Sequence, residues 1–120
     1  MVAFRLQYKN MKQIEIFELN DGKKPLLIWI KSLDKTMQAR IINRFDRLQE
    51  DNYGDFKVID SEIKELRFKF GSGYRVYFHE NNKVIILLLC GGDKSTQSKD
   101  IKKAKEYLNI WKGQQNGKKI

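Results

Sequence analysis

The sequence predicts a single α+β domain, an antiparallel sheet packed on a two-helix hairpin, with the element order β-α-α-β-β-β-α. Three observations predict it. Apolar residues recur at helical spacing from Leu26 to Leu48, the period drops to two between Glu65 and His79, and a helical stripe returns from Ile101 to Trp111. The chain has 120 residues, 41% of them hydrophobic, which suits one domain spanning 1–120 with a core of modest size.

Met11-Lys12-Gln13-Ile14-Glu15-Ile16-Phe17 reads as a natural chain start, so residues 1–10 are expected to be an N-terminal extension without a structural role. Ile14, Ile16 and Phe17 suggest a first strand, closed by the turn residues Asn20-Asp21-Gly22. Pro25 fits the first turn of a helix, where its missing N–H costs nothing. Leu26, Leu27, Trp29, Ile30 and Leu33 supply that helix's apolar side. Asp34 can cap a second helix, in which Met37, Ile41, Ile42, Phe45 and Leu48 repeat at helical spacing while Arg40, Arg44 and Arg47 lie between them on the wetter face. So short a connection between them predicts an antiparallel hairpin.

The next segment alternates. Leu66, Phe68 and Phe70 interleave with Glu65, Arg67 and Lys69, a strand with one buried and one wet face. After the turn Gly71-Ser72-Gly73, Tyr74, Val76 and Phe78 interleave with Arg75, Tyr77 and His79. Val84 to Cys90 is apolar throughout, as in a central strand buried on both faces, and Gly91-Gly92 is expected to break it. Ser95 can cap the last helix, whose inward stripe is Ile101, Ala104, Leu108 and Trp111. The tail 113–120 is expected to fray, and the helices to cover one face of the sheet.

One cysteine excludes an intrachain disulfide, no apolar run is long enough to span a bilayer, and the start lacks a secretory signal, so a cytoplasmic protein with no membrane partner is expected. The formal net charge is +9. Residues 1–60 carry 11 Lys/Arg against 9 Asp/Glu, a net of +2, and residues 61–120 carry 13 against 6, a net of +7. A surplus concentrated in the sheet-forming half points to a polyanionic partner.

Strand alternation sends Arg67, Lys69, Arg75, Tyr77 and His79 to one kind of face, and a hairpin makes the two sets cross-strand neighbours. Like charges set opposite each other repel unless an anion neutralises them. A phosphodiester is such an anion, because guanidinium groups hold two nonbridging oxygens at once. RNA brings its own nucleophile, the 2′-hydroxyl, so positioning, charge and proton transfer suffice for cleavage without a metal or cofactor. Lys94 follows the central strand, and Tyr77 is placed to stack on a base. Other residues read as structural. His79 suits a surface, Cys90 a core, Trp29 and Trp111 apolar helix stripes, and the lysines Lys99, Lys102, Lys103 and Lys105 largely a wet helix face. One Cys and one His cannot make a structural zinc site.

Four segments carry a family resemblance: Glu65-Leu66-Arg67; Gly73-Tyr74-Arg75-Val76-Tyr77-Phe78; Leu87-Leu88-Leu89-Cys90-Gly91-Gly92-Asp93-Lys94-Ser95; and Asp100-Ile101 with Ala104. Together they resemble the HigB-like addiction module killer branch of the RelE/ParE toxins, over about residues 11–112. The resemblance implies the toxin of a type II toxin–antitoxin system, a ribosome-dependent mRNA endoribonuclease that cuts by 2′-hydroxyl attack on the adjacent phosphate and inhibits translation. It implies catalytic roles for Arg67, Arg75 and Lys94, with Lys69 a weaker match; beside it, the residues themselves offer Lys69, Tyr77 and Lys99 for substrate binding and Asp93 or Asp100 for proton transfer. It also implies two partners: mRNA on the ribosome and a cognate helix-turn-helix antitoxin. In this sequence Glu65 stands at a second basic position of the family's earlier strand, and Lys99 and Asp100 stand near the place of a RelE tyrosine. The same superfamily admits a ParE-like DNA gyrase inhibitor without nuclease activity, and the basic face alone admits a noncatalytic RNA-binding module.

Overall fold

The computed structural model describes residues 11–118, so the expected extension at 1–10 lies outside the described residues. In chain order the elements are β1 (Gln13–Ile16), α1 (Pro25–Lys31), α2 (Lys35–Gln49), β2 (Phe56–Val58), β3 (Lys64–Arg67), β4 (Arg75–Asn81), β5 (Ile85–Gly92), a 3-10 turn (Lys94–Thr96) and α3 (Gln97–Lys118). Pro25 opens α1, and the Asp34 side chain caps α2 by accepting from the Met37 N–H at 2.9 Å.

The five strands lie in the order β1-β5-β4-β3-β2. β1 runs parallel to β5 and every other pair is antiparallel, so the sheet is mixed where the sequence predicted an antiparallel one. The short strand β2 is absent from the predicted order. Its three residues are all exposed on the sheet edge, which leaves no alternation of burial to read.

Two apolar cores form, one on each face. Leu26 and Ile30 of α1 and Ile41, Phe45 and Leu48 of α2 meet Leu66, Phe68, Val76, Phe78, Ile86 and Leu88 on the first. Ala104, Leu108 and Trp111 of α3 meet Phe17, Ile63, Tyr77, Leu87 and Leu89 on the second. Helices therefore cover both faces rather than one, which is why β5 is apolar from Ile86 to Cys90 without a break. α3 continues to Lys118 instead of fraying at 113, because Gln114 donates from Nε2 to the Glu18 carbonyl and to Asn20 Oδ1, both at 2.9 Å. The Gly91-Gly92 pair extends β5 rather than ending it. A Cβ on Gly91 would come within 2.5 Å of the Trp29 ring, so glycine admits the close approach of α1.

The far end of β4 is tied by a polar network. Lys12 Nζ donates to Glu80 Oε2 at 2.8 Å and to the Tyr53 hydroxyl at 2.5 Å, and pairs with Asp51 at 2.7 Å. The Tyr53 hydroxyl donates to Glu80 Oε1 at 2.5 Å, and Lys64 Nζ reaches the same oxygen at 3.1 Å. Burial works to raise the Glu80 carboxyl, but the hydrogen bonds from Lys12, Tyr53 and Lys64 outweigh it and bring the pKa down to about 2. Burial and the Glu80 hydrogen bond push Tyr53 up to about 12.

Two predictions follow from this packing. Phe68→Ala removes a ring from the first core and is expected to cost about 3–5 kcal/mol in urea unfolding; a loss below 1 kcal/mol contradicts the core assignment. The folded pKa of Glu80 is depressed, so its contribution is complete above the unfolded value near 4.5 and fades as pH falls towards about 2. The stability gap between wild type and Glu80→Gln is thus expected to be largest at neutral pH and to shrink below pH 4.5. A gap that stays constant with pH contradicts the network.

Candidate functional site

Arg67 ends β3 and faces Arg75 at the start of β4, directly opposite in the register. Glu65 and Tyr77, the next such pair on that face, lie one step further in. Glu65 is fully buried. Its Oε1 accepts from Arg67 Nε at 2.9 Å and lies 3.6 Å from Arg75 Nε, while its Oε2 accepts from Gln97 Nε2, at the first residue of α3, at 2.8 Å. Burial would raise the carboxyl, but the bonds from Arg67 and Gln97 and the charge of Arg75 hold it below the usual range. The Glu65 hydrogen bond in turn raises Arg67.

The anion that the arginine pair requires is therefore supplied by the chain. Two guanidinium groups against one carboxylate leave one positive charge over. Arg67 keeps 35% of its side chain exposed and Arg75 15%, and Arg75 Nη1 is buried without a hydrogen-bond partner.

Gly92 of β5 lies opposite Arg75 on the other side of β4. A Cβ there would collide with Asp100 Oδ2, so the glycine lets α3 bring that carboxylate against the sheet. The Thr96 hydroxyl donates to the same oxygen at 2.5 Å. Burial pushes the Asp100 carboxyl up against that bond. Lys94 is exposed, and it packs against the turn that precedes Arg75: its N–H reaches the Ser72 carbonyl at 3.3 Å, and its Cβ lies 3.3 Å from the Cβ position of Gly73. Arg67, Arg75, Lys94 and Asp100 thus come to the same end of β4.

The remaining expected site residues do not join them as predicted. Tyr77 is fully buried beneath α3 and cannot stack on a base. Alternation put it on the right face, but α3 covers that face at Tyr77, between the part-exposed Arg75 and His79. Lys69 lies beyond β3, which ends at Arg67; Phe68 N–H still bonds the Tyr74 carbonyl at 3.0 Å, and then the chain turns away. Lys99 is exposed on α3 and shares a shallow surface with Ser98, Ile101, Lys102 and Lys105, apart from the arginine pair. Asp93 caps the 3-10 turn, accepting from the Ser95 hydroxyl at 2.5 Å and the Ser95 N–H at 2.8 Å, and these bonds lower its pKa. It is committed to the backbone rather than poised for proton transfer, and it performs the capping expected of Ser95.

Sequence reading missed three residues. Glu65 was legible in part, since it stands two residues before Arg67 and so shares its face. Gln97 had no signal. Arg44, expected on a wet face, is half-buried over the Phe68 ring and donates to the carbonyls of Arg67 at 2.8 Å and Tyr53 at 2.9 Å. It fixes the backbone from which Arg67 projects. Among the described residues no group of three His, Cys, Asp or Glu side chains could hold a metal ion, and no helix is long and apolar enough to cross a membrane.

The family described as "Phage derived protein Gp49-like (DUF891)" matches residues 28–109. The chain belongs to this family. A Haemophilus influenzae protein named "Uncharacterized protein" is 51% identical over 78 residues, covering 64% of this chain and 79% of that protein. The Gp49-like match runs from α1 into α3 and holds Glu65, Arg67, Arg75, Lys94, Gln97 and Asp100, so the whole candidate site falls inside it, whereas β1 falls outside.

Gly92→Ala is expected to cost about 1–3 kcal/mol in urea unfolding, through overpacking against α3. Adding Asp100→Ala should recover most of that loss. No recovery in the double variant contradicts the close approach of Asp100 to the sheet.

Proposed function

We propose that this Gp49-like protein is a RelE/ParE-superfamily toxin of the HigB-like branch, one half of a type II toxin–antitoxin pair, and that it cleaves mRNA on the translating ribosome. The observation that carries the reading is the pairing of Arg67 with Arg75 across β3 and β4, at the end of the sheet where Lys94 also lies. The sequence resemblance and the net charge of +9 support it further.

In the proposed reaction the 2′-oxygen attacks the adjacent phosphorus and its proton passes to a base. The bond to the 5′-oxygen breaks, and that oxygen takes up a proton as it leaves. The products carry a 2′,3′-cyclic phosphate and a 5′-hydroxyl. Arg67, Arg75 and Lys94 hold the nonbridging oxygens and stabilise the charge that builds on them. Asp100 is the proton acceptor, since burial raises its pKa and makes it a stronger base than an exposed carboxylate. The antitoxin is a helix-turn-helix protein from the neighbouring gene that masks the arginine end of the sheet.

The test is purified translating ribosomes with 5′-end mapping of the mRNA. Wild type should cut within codons, and Arg75→Ala should lose about 10²–10³ in rate while its circular dichroism stays native. Intact mRNA accompanied by trapped gyrase–DNA complexes overturns the reading in favour of a ParE-like inhibitor. Intact mRNA with salt-dependent binding alone overturns it in favour of a noncatalytic RNA-binding module.

A further inference from the structure

The arginine pair is built on a side chain with no exposed atom of its own. Two guanidinium groups directly opposite on neighbouring strands repel, and each has rotamers that lead it away from the other. Glu65 opposes both effects. It engages each arginine at Nε, the root of the guanidinium, rather than at the tips. Arg67 keeps 35% of its side chain exposed, and Arg75 Nη1 is buried without a hydrogen-bond partner. The second oxygen of Glu65 is fixed by Gln97, so the carboxylate itself cannot rotate. Arg44 holds the carbonyl of Arg67 from the opposite face. The arginines therefore have defined directions before any ligand arrives, which lowers the cost of binding a phosphodiester in one geometry.

We infer that Glu65 is the positioning residue of the site: buried and out of reach of substrate, it sets the directions of Arg67 and Arg75 for the phosphodiester they take. The role rests on the RNA-cleaving reading above. Glu65 does not serve as the proton acceptor, because its oxygens are occupied by Arg67 and Gln97 and the side chain is fully covered.

The test combines two readouts on Glu65→Gln, which keeps the shape and removes the charge. In the free protein, the Arg67 Nε–H resonance of wild type should be shifted and protected from exchange, and the variant should lose that protection. On ribosomes, single-turnover cleavage should fall about 10–100-fold, while RNA affinity stays equal or tightens because a negative charge has gone. The acidic limb of the pH–rate profile should persist in the variant at a lower plateau. Its disappearance would assign Glu65 as the base and overturn the positioning role, as would an unchanged rate. A merely structural role would lower RNA affinity along with the rate; a lower melting temperature is expected on either role, because Glu65 is buried and paired. If Glu65→Gln does not fold, Gln97→Ala decides, since it frees the carboxylate without changing charge; a reduced rate at unchanged affinity is expected, and an unchanged rate overturns the inference. Should wild type fail to cut any mRNA, the functional reading fails, and the resonance experiment still tests the arrangement.

Discussion

One buried carboxylate between two arginines organises one end of this molecule's sheet. A fully covered Glu65 is tolerable only because it is paired and hydrogen-bonded on both oxygens; removing one partner of such a set strands the other charge and is far costlier than losing a surface ion pair. The same contacts join β3, β4 and α3 beside the second core. Structure and site share one interaction here.

The two ends of β4 are built on the same plan with opposite consequences. At one end Arg75 stands beside Glu65 in a cluster with more positive than negative groups, left partly open. At the other end Glu80 is surrounded by Lys12, Tyr53 and Lys64, and every oxygen is engaged. The Glu80 network is closed and serves to hold β1, the end of α2, β3 and β4 together. The arginine cluster carries one positive charge over and keeps Arg67 and Arg75 partly exposed, as a site for an anion needs, and it leaves Arg75 Nη1 buried without a partner, which a purely structural network avoids.

The sequence spoke clearly where burial alternates. The helices after Pro25 and Asp34, the β3–β4 pairing and the approach of Arg67 to Arg75 all follow from periodicity and turn residues. It misled where a second layer covers what alternation calls wet. Tyr77 has the right period and the wrong environment, because no local signal tells that α3 lies over it. β2 and the last turns of α3 were lost for the reverse reason: one is too short and exposed to have a pattern, and the other is held by Gln114 rather than by an apolar stripe. Glycine carried meaning that turn statistics hide. Gly91 and Gly92 sit within a strand because Trp29 and Asp100 come too close for any side chain. Asp93 and Asp100 looked equivalent in sequence, and environment separates them: capping bonds lower one, while burial raises the other.

In the proposed reaction RNA supplies its own nucleophile while Arg67 and Arg75 hold the phosphate it attacks. A ribosome-bound mRNA carrying a single 2′-deoxy nucleotide immediately before the mapped cut tests this most directly. The account predicts that cleavage vanishes at that phosphate and persists in an all-ribose control. Undiminished cutting at the deoxy-substituted phosphate would contradict it.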